Sequence, residues 1–240
     1  MGTRIAHLFS RAVSRLRSGA AGRAIGPGPG EWTLGPAPDP VVRARLLTAG
    51  VSAGTLDDVD LRRLNGPFPN GWGDRGNVLY VDSRRELPTA SIPGLCAHDA
   101  SDAVIFLASD VANVAYIVVE GVSSTLFIGP DCWLPHAEIH CGGGSSIVLD
   151  AQVTSTFHPT IDARNGGRIV SDKDQLWATD GIVSTDDMHR LEDASTGARI
   201  NPFGASIHIE SHVWIARDVM VLGGATVGAG GSSARATPLD

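Results

Sequence analysis

The sequence predicts an all-β solenoid, in which short parallel strands coil around a common core, and a six-residue repeat is the main reason. Aliphatic residues recur every six positions near the C-terminal end, and a second aliphatic or small residue stands four positions into each unit. The first series is Ile209, Ile215, Val221 and Val227, and the second is Val213, Val219 and Ala225. A six-residue period is not helical, and it is typical of β-helices in which each unit supplies one strand and one turn.

Two further observations agree with this fold class. From residue 77 onward the chain consists of short aliphatic runs separated by turn residues, with no helical pattern between them. Aromatic residues make up only 5% of the chain and glycine occurs 29 times, which suits a thin core of stacked aliphatic side chains with tight corners. Residues 77–126 follow the six-residue spacing only roughly, so we expect them to form irregular first coils.

We expect three regions along the chain. They are a basic N-terminal tail (residues 1–30), a linker with short helices (residues 31–76) and the solenoid (residues 77–240). Within the second region, helical patterns cover residues 41–49 and 56–64. Asp39 and Pro40 are suited to begin the first helix, as its cap and first-turn residue.

One polar insertion interrupts the repeat. Residues 179–205 lack the six-residue pattern and are rich in Asp, Ser, Thr and Gly. Insertions in solenoids lie on one face, which is often the binding face. A long loop without secondary structure of its own is more often functional than idle. We therefore expect the chemistry of the protein in this insertion.

The charge distribution argues against nucleic acid as a partner. Residues 1–30 contain five arginines and no acid, whereas the whole chain carries a net charge of −7, so the remainder is strongly acidic. The basic segment is expected to be a solvated tail, with a transit peptide or weak association to a membrane surface as the alternatives. No apolar run approaches the ~20 residues of a membrane span, and Cys96, Cys132 and Cys141 do not suggest a disulfide framework. These features predict a cytoplasmic protein.

A motif stands in the insertion and in the strand that follows it. In chain order its pieces are Ser184-Thr185-Asp186-Asp187-Met188-His189, Glu192-Asp193, Thr196-Gly197, Ile200-Asn201-Pro202 and Ile209-Glu210-Ser211-His212-Val213-Trp214-Ile215. With the repeat, this ordered set resembles the left-handed β-helix (hexapeptide-repeat) acyltransferases, above all the branch that O-acetylates sugars of polysaccharides and glycoconjugates. The resemblance covers roughly residues 104–230. It implies a left-handed coil, a homotrimer, a carbohydrate acceptor and acetyl-CoA held between neighbouring subunits.

The resemblance implies that His189 is the catalytic base. Acetyl transfer from a thioester to a sugar hydroxyl needs a base, because a hydroxyl is a poor nucleophile at neutral pH. An imidazole, whose unperturbed pKa is about 6.5, is suited to remove that proton during direct attack, without an acyl-enzyme. Asp187 matches the family's acidic or amide position before the histidine, where a carboxylate orients the imidazole. Each acid of the insertion is about equally well explained as part of a solvated loop.

Other candidate residues would surround the two substrates. Those for substrate binding are Asp186, Trp177 and Asn201, and those for binding the co-substrate are Trp214, Ala216, Gly223 and Gly224. Trp214 precedes an inward isoleucine, so we expect it to point outward, toward a subunit interface or a ligand. The two glycines would let a pantetheine arm approach the backbone, and they are equally explained as corner residues. Asn201 is also explained as a turn residue, and Trp177 as packing at the base of the insertion.

A metal site is the alternative chemistry. Two sets of residues have spacings that metal ligands use, namely Cys132, His136, His140 and Cys141, and His208 with His212. The γ-class carbonic anhydrases share the expected fold and bind zinc through histidines of adjacent subunits. On a solenoid, however, residues four apart need not share a face, and the repeat places His208 outward and His212 in a turn. We therefore expect no metal.

The repeat ends early. After Val227 the next inward positions would be Ser233 and Leu239, and the last ten residues contain no second aliphatic strand. We therefore expect an apparently shortened C-terminus, which in an acetyltransferase would weaken CoA binding and trimer formation. An inactive relative that serves as a binding or structural module is the second hypothesis, and a γ-type zinc carbonic anhydrase is the third.

Overall fold

The computed structural model shows a parallel β-solenoid, which confirms the predicted fold class. It describes residues 32–66, 68, 71–85, 95–96, 99–109, 111, 113–186, 189–201 and 203–233. The basic tail predicted over residues 1–30 lies outside this part of the chain. The left-handed sense of the coil stays a prediction.

Nineteen short strands and two helices make up the described part of the chain. The helices are α1 (Pro40–Ala49) and α2 (Ala53–Asp57), with a 3₁₀ turn at Gly73–Arg75. In chain order the strands are β1 (Thr33–Leu34), β2 (Leu61–Asn65), β3 (Val78–Asp82), β4 (Leu95–Cys96), β5 (Val104–Leu107), β6 (Tyr116–Val119), β7 (Thr125–Ile128), β8 (Glu138–Cys141), β9 (Ser146–Leu149), β10 (Val153–Ser155), β11 (Thr160–Ala163), β12 (Arg168–Ser171), β13 (Gln175–Trp177), β14 (Ile182–Ser184), β15 (Ser206–Ile209), β16 (Val213–Ile215), β17 (Met220–Leu222), β18 (Thr226–Val227) and β19 (Ser232–Ser233).

The strands form three sheets. Sheet 1 has the order β1-β2-β3-β5-β7-β9-β12-β15-β18, sheet 2 the order β10-β13-β16-β19, and sheet 3 the order β17-β14-β11-β8-β6-β4. Each full coil gives one strand to each sheet in turn, as β9, β10 and β11 do, so the three sheets are the sides of a triangular prism. Among the described strands, the antiparallel pairs are β1 with β2 and β2 with β3.

Coil length explains why the six-residue repeat is visible only near the C-terminal end. Thr125 pairs with Ser146, and Ser146 pairs with Arg168, so these coils contain 21 and 22 residues. His208 pairs with Thr226 after 18 residues, which is three units of six. Consecutive units of six therefore fit only the last described coil.

The difference in length arises at the corner between sheets 3 and 1. In one of the longer coils, Asp162 and Val170 are eight positions apart across this corner. The residues stacked on the same columns in the last coil, Leu222 and Thr226, are four positions apart. The last coil therefore turns this corner with four fewer residues.

The inward residues of the repeat form the core, as predicted. Ile209, Ile215 and Val221 lie in β15, β16 and β17 and are buried together with the equivalent residues of other coils. Val221, for example, stacks on Val183 of the preceding coil. Val227 is partly buried and packs against the same core.

At most corners between sheets, a residue adopts the left-handed backbone conformation, which has a positive φ. Between sheets 1 and 2 the residues with positive φ include Asp131, Gln152, Asp174 and His212, and between sheets 2 and 3 they are His136, His158, Asp180 and Asp218. Most of them donate their backbone N–H to the preceding coil, as His158 does to the Pro135 carbonyl at 2.8 Å. Aspartate, asparagine and histidine are enriched in this conformation among non-glycine residues. Three of the six histidines in the described part of the chain therefore serve as corner residues.

The N-terminal helices cover the outer face of sheet 1 from β3 to β12. A second apolar cluster forms there from Tyr80, Phe106, Phe127, Val148 and Val170 of the sheet and Leu46, Val51 and Leu56 of the helical segment. Arg45 of α1 donates to the Thr125 hydroxyl at 2.9 Å and to the Ser124 carbonyl at 2.8 Å. The Thr55 hydroxyl of α2 donates to Asp150 at 2.7 Å. One side of the prism is thus closed by the chain itself.

The first helix agrees with the sequence-based expectation and the second does not. The Asp39 side chain caps α1 by accepting a backbone N–H of the first turn, and the helix begins at a proline. The helix predicted over residues 56–64 is wrong beyond the end of α2. The chain instead forms β2, because pairing with β1 and β3 satisfies its backbone groups while Leu61 and Leu64 stay buried.

Two other boundaries differ from the prediction. Strands β3, β5 and β7 pair in parallel within sheet 1, so the first coils are more regular than expected. The insertion is shorter than the predicted residues 179–205, because β14 continues sheet 3 between β11 and β17. The interruption therefore begins at Thr185.

We predict that Phe127→Ala lowers the free energy of unfolding by about 3–5 kcal/mol, because it leaves a cavity between sheet 1 and the helices. The ring of Phe127 is fully buried and lies 4.6 Å from that of Phe106, centroid to centroid. Urea denaturation measures the change. Leu47→Ala, on the exposed side of α1, is the control and should change the free energy by less than about 1 kcal/mol. Equal losses in the two variants would contradict this packing.

Candidate functional site

The insertion, residues 185–205, projects from the corner between sheets 3 and 1. It joins the end of β14 to the start of β15, where other coils turn within a few residues. Residues 187, 188 and 202 lie outside the described part of the chain. The predicted catalytic carboxylate Asp187 is therefore without a structural description.

Thr185 anchors the start of the insertion on the preceding coil. Its N–H donates to the Asp162 carbonyl at 2.9 Å, and its hydroxyl oxygen accepts the Arg164 N–H at 3.1 Å. A Cβ at Gly167 would lie 2.1 Å from the Thr185 hydroxyl oxygen, so only glycine leaves room for this contact. The start of the insertion is thus built into the solenoid.

The insertion has secondary structure of its own, which the sequence pattern did not predict. The Ile200 N–H donates to the Leu191 carbonyl at 2.9 Å, and Glu192 and Arg199 form an antiparallel bridge. Residues 191–200 therefore form a small hairpin, and His189 lies at its base with an exposed side chain.

Asn201 clamps the base of this hairpin. Its side-chain Nδ2 donates to the His189 carbonyl at 2.7 Å, and its Oδ1 accepts the Leu191 N–H at 2.9 Å. The Arg199 guanidinium donates to the same His189 carbonyl at 3.2 Å. The amide of Asn201 therefore fixes the backbone that carries His189, and its contact with a substrate stays a prediction.

The acidic residues of the insertion serve different purposes. Asp193 Oδ1 accepts the Ser195 hydroxyl at 2.5 Å and the backbone N–H groups of Ser195 and Thr196 at 2.9 and 2.8 Å. These hydrogen bonds, that of the Ser195 hydroxyl above all, lower the pKa of Asp193 to about 2. Asp186 accepts from the Asn165 side chain of the preceding coil at 2.5 Å. Asp193 thus closes the turn of the hairpin, and Asp186 ties its start to the solenoid.

The two tryptophans that the sequence singled out lie on opposite sides of the coil wall. Trp177 lies in β13 of sheet 2, is 1% exposed and points into the core, so its side chain packs in the interior of the solenoid. Trp214 lies on the outer face of β16 and is 53% exposed, in agreement with the outward orientation predicted for it.

The predicted co-substrate residues after β16 differ in their position and in the space around them. A Cβ at Gly223 would lie 2.5 Å from the Thr185 carbonyl oxygen and 2.7 Å from the Ala205 Cβ, so this glycine is needed where the two ends of the insertion meet. Gly224 has φ of 93°, and among the described residues nothing lies within 4 Å of a Cβ built there. Ala216 directly follows β16, at the corner between sheets 2 and 3.

Within one chain these co-substrate candidates do not come together. Trp214 stands on the outer face of sheet 2, whereas Gly223 and Gly224 form the corner between sheets 3 and 1. In a triangular prism that corner is opposite to sheet 2. His189 and Gly224 therefore belong to the same corner of the prism, and Trp214 lies on the side opposite to that corner.

The fold separates the residues whose spacings suggested metal ligands. His140 lies on the outer face of sheet 3, Cys141 points into the core and His136 occupies a corner. His208 bonds Asp172 at 3.2 Å, and His212 bonds Asp174 at 2.6 Å.

Both described cysteines that belong to these spacings are free and buried, and burial raises the pKa of Cys132 and of Cys141 to about 12. In the residues that the structure describes, no three His, Cys, Asp or Glu side chains converge as a metal site would require.

Sequence reasoning missed several residues beside His189. Phe203 is 56% exposed, and the Arg199 guanidinium lies 3.8 Å from the centroid of its ring. Leu191 and Ile200 are exposed on the hairpin as well. The available signal was the match of Leu191-Glu192 with Arg199-Ile200 on either side of a segment rich in turn residues, since a hairpin pairs such residues across its strands.

A cavity of about 380 Å³ lies at the other end of the solenoid, between β2, β3 and the loop that contains Trp72. Five strand steps of sheet 1 separate β3 from β15. At about 4.8 Å per step this is roughly 24 Å. The cavity is therefore remote from the insertion.

The comparison with curated proteins agrees with the predicted resemblance. Over 109 residues the chain is 31% identical to the polysialic acid O-acetyltransferase of Neisseria meningitidis. This chain is similar to a sugar O-acetyltransferase. The match covers 45% of the chain and 49% of that O-acetyltransferase, so it spans about half the length of the relative. No family model matches the chain, and no solved structure matches it significantly.

The described helices are also too short or too polar to cross a membrane.

We predict that the turn of the hairpin persists in acid. The folded pKa of Asp193, about 2, is below the ordinary value of 3.8, so its stabilising effect is complete above about pH 4 and is lost as the pH falls through 2. The amide proton shifts of Ser195 and Thr196 in NMR spectra recorded between pH 2 and 6 measure this. Asp193→Asn, which lacks the charge, should show no such titration. Loss of the wild-type shifts already near pH 4 would contradict the prediction.

Proposed function

We propose that the protein is an O-acetyltransferase that transfers an acetyl group from acetyl-CoA to a carbohydrate hydroxyl, with His189 as general base. The observation that carries this proposal is the place of His189, which is exposed at the base of a clamped hairpin on a parallel β-solenoid. The similarity to the polysialic acid O-acetyltransferase supports the same reaction class. Acetyl-CoA as the donor agrees with a cytoplasmic location, which remains part of the proposal.

The proposed reaction is a direct transfer. The imidazole of His189 removes the proton of the acceptor hydroxyl while the hydroxyl oxygen attacks the thioester carbonyl carbon. The carbon–sulfur bond then breaks, CoA leaves as its thiolate, and the imidazolium returns the proton to the sulfur. In this proposal Asp187 orients the imidazole and stabilises its charged form, and Asn201 holds the backbone of His189 in place. Asp186 is hydrogen-bonded to Asn165, and Trp177 is buried in the core. A contact of either residue with the acceptor is part of this proposal.

The acyl-donor site is proposed to lie between two subunits of a homotrimer. Trp214 and Gly224 stand on opposite sides of the same coil, so one chain cannot present both to a single CoA molecule. A neighbouring chain that packs with sheet 2 toward the corner of sheets 3 and 1 would bring them together. The outer face of sheet 2 is suited to such packing, because three large apolar side chains are exposed in one column of its stacked coils, with Thr154 between the first two. They are Trp133, Leu176 and Trp214, which we call the apolar row.

We predict that His189→Ala lowers kcat for acetyl transfer by about 10²–10⁴-fold, the contribution expected of a general base. Release of CoA from acetyl-CoA in the presence of sugar acceptors measures the rate. The hydrogen bonds that Asn201 and Arg199 donate end on the backbone carbonyl of His189, which alanine keeps, so the clamp at the base of the hairpin should persist. The melting temperature of the variant checks that the fold is retained.

His212→Asn is the matched control, since asparagine tolerates the left-handed backbone of that corner and the residue lies away from the insertion. A rate within a few-fold of wild type for His189→Ala would overturn the role of His189.

We also predict complementation between subunits. If one active site uses His189 of one chain and Trp214 of its neighbour, then His189→Ala and Trp214→Ala chains, each inactive alone, regain part of the activity when co-expressed as mixed trimers. The reason is that some interfaces then contain both intact residues. Co-expression of His189→Ala with a chain that carries both substitutions is the control and should restore nothing. Absence of complementation in mixed trimers that have been isolated by two affinity tags would contradict the shared site.

A further inference from the structure

The outer face of sheet 3 carries a polar surface that the proposed mechanism does not use. Ile117, Ile139 and Ile161 point into the core from β6, β8 and β11, so their strand neighbours point outward. The polar face is defined by the following side chains: Tyr116, Glu138, His140 and Asp162 on the strands, Glu120 and Arg164 at one adjoining corner, and His158 and Asp180 at the other.

Four members of the polar face form a continuous chain across three coils. The Arg164 Nε contacts the two Asp162 carboxylate oxygens at 2.7 and 2.9 Å, and its guanidinium also donates to His140 Nδ1. His140 Nε2 lies 2.8 Å from Glu120 Oε1. The hydrogen bond with His140 lowers the pKa of Glu120, so this carboxyl group is ionised at neutral pH.

A second chain of contacts runs beside the first. The Tyr116 hydroxyl donates to Glu138 Oε2 at 2.8 Å, and Glu138 Oε1 lies 3.5 Å from His158 Nε2. The other ring nitrogen of His158 lies 3.2 Å from Asp180 Oδ1 at the next corner position. These contacts reach the edge of sheet 3 that faces sheet 2.

The polar face is therefore organised before any ligand binds. Glu138 and His140 are buried although they stand on an outer face, because the neighbouring polar side chains enclose them. A carboxylate has about four acceptor sites, so these groups keep acceptor capacity for hydroxyl donors. Fixed side chains lose little conformational freedom on binding, which favours recognition of a polar ligand.

The outward side chains of sheet 3 are mainly polar on β6, β8 and β11, whereas Ile182 of β14 and Met220 and Leu222 of β17 are outward apolar residues. The polar face therefore spans two strand steps of sheet 3, or about 10 Å.

The polar face adjoins the insertion. Asp162 pairs in register with Ser184, which directly precedes the anchored start of the insertion. At Arg164 it meets the start of the insertion, because the Arg164 N–H donates to the Thr185 hydroxyl at 3.1 Å. A ligand on this face therefore lies beside the corner that carries the insertion.

The charge of this surface is negative. Arg164 is paired with Asp162, and Arg217 at the far corner lies 3.9 Å from Asp180 and 3.8 Å from Asp218. The one lysine of the chain, Lys173, stands at the corner between sheets 1 and 2. Because carboxylates outnumber the arginines here and the arginines are already paired, an anionic polymer would be repelled.

We propose that the polar face binds the acceptor and that the acceptor is an uncharged sugar chain held through its hydroxyl groups. The naming of the ligand as the acceptor rests on the proposed function. The polysialic acid named for the relative is a polyanion, so the two proteins differ in the charge of their acceptors. Hydroxyls that donate to the carboxylates Glu120 and Asp180 supply the affinity, since hydrogen bonds to charged acceptors are the strong ones.

The test measures glycan binding without acetyl-CoA, on an array of neutral oligosaccharides and oligosialic acids of matched length. The wild-type protein should bind neutral glycans. The variant that carries Glu120→Gln and Asp180→Asn should bind them about tenfold more weakly, because it loses charge-assisted hydrogen bonds. Both substitutions preserve the shape of the side chain, and asparagine tolerates the positive φ of position 180.

Asp174→Asn is the matched control. It makes the same change at an exposed position of positive φ, at the corner between sheets 1 and 2, and should leave glycan binding unchanged. Binding of oligosialic acids only, absence of any glycan binding, or equal weakening in Asp174→Asn would each overturn the proposal.

Acetyl transfer is measured separately on the glycans of the array. Neutral glycans that bind but are never acetylated would refute the proposed function and leave the binding face standing. Transfer to oligosialic acids in preference to neutral glycans would support the proposed function and refute the neutral acceptor on the polar face.

Discussion

Hydrogen bonding between successive coils is the constraint on which the rest of the structure depends. Each strand must lie directly on its equivalent one coil earlier, in parallel and in register, or the backbone groups of both are left unpaired. The corners are bound by the same requirement, because their N–H groups also donate to the coil below. The left-handed conformation meets that geometry, which explains why aspartate, glycine and histidine are stacked at the corners.

The same constraint decides where function can be added. A strand cannot be lengthened or bent without breaking its pairing, whereas a corner can be extended if the chain returns to register. The insertion does so between β14 and β15, and two glycines make its attachment possible, Gly167 beneath Thr185 and Gly223 above it. The three sides of the prism are then free to differ in character. Here helices cover most of sheet 1, sheet 2 exposes the apolar row, and sheet 3 carries the polar face on β6, β8 and β11.

What the sequence predicted and what it missed follow from the range of the interactions involved. The repeat, the Asp39 cap and the outward Trp214 depend on local periodicity and local hydrogen bonds, and all three are present in the structure. Strand β2 was mistaken for helix because its pairing partners decide its conformation. The 21- and 22-residue coils hide the repeat, since their additional corner residues shift the period.

The candidate site was predictable in the same limited sense. A motif in an interruption of the repeat indicated His189, because both features are visible in a short window of sequence. The clamp by Asn201 needs the hairpin to be known, and the polar face joins residues such as Glu120 and Arg164 that meet only when coils are stacked. The burial of Trp177 depends likewise on which face of β13 turns inward.

The short corner of the last coil has a consequence for access to His189. With four fewer residues than the coil beneath the insertion, the last coil turns this corner in a short loop between β17 and β18. Gly224 lies in that loop with a positive φ, and among the described residues nothing lies within 4 Å of a Cβ built there. A molecule that approaches His189 along this corner therefore passes a position without a side chain. A larger residue at Gly224 would fill that space and would strain the backbone.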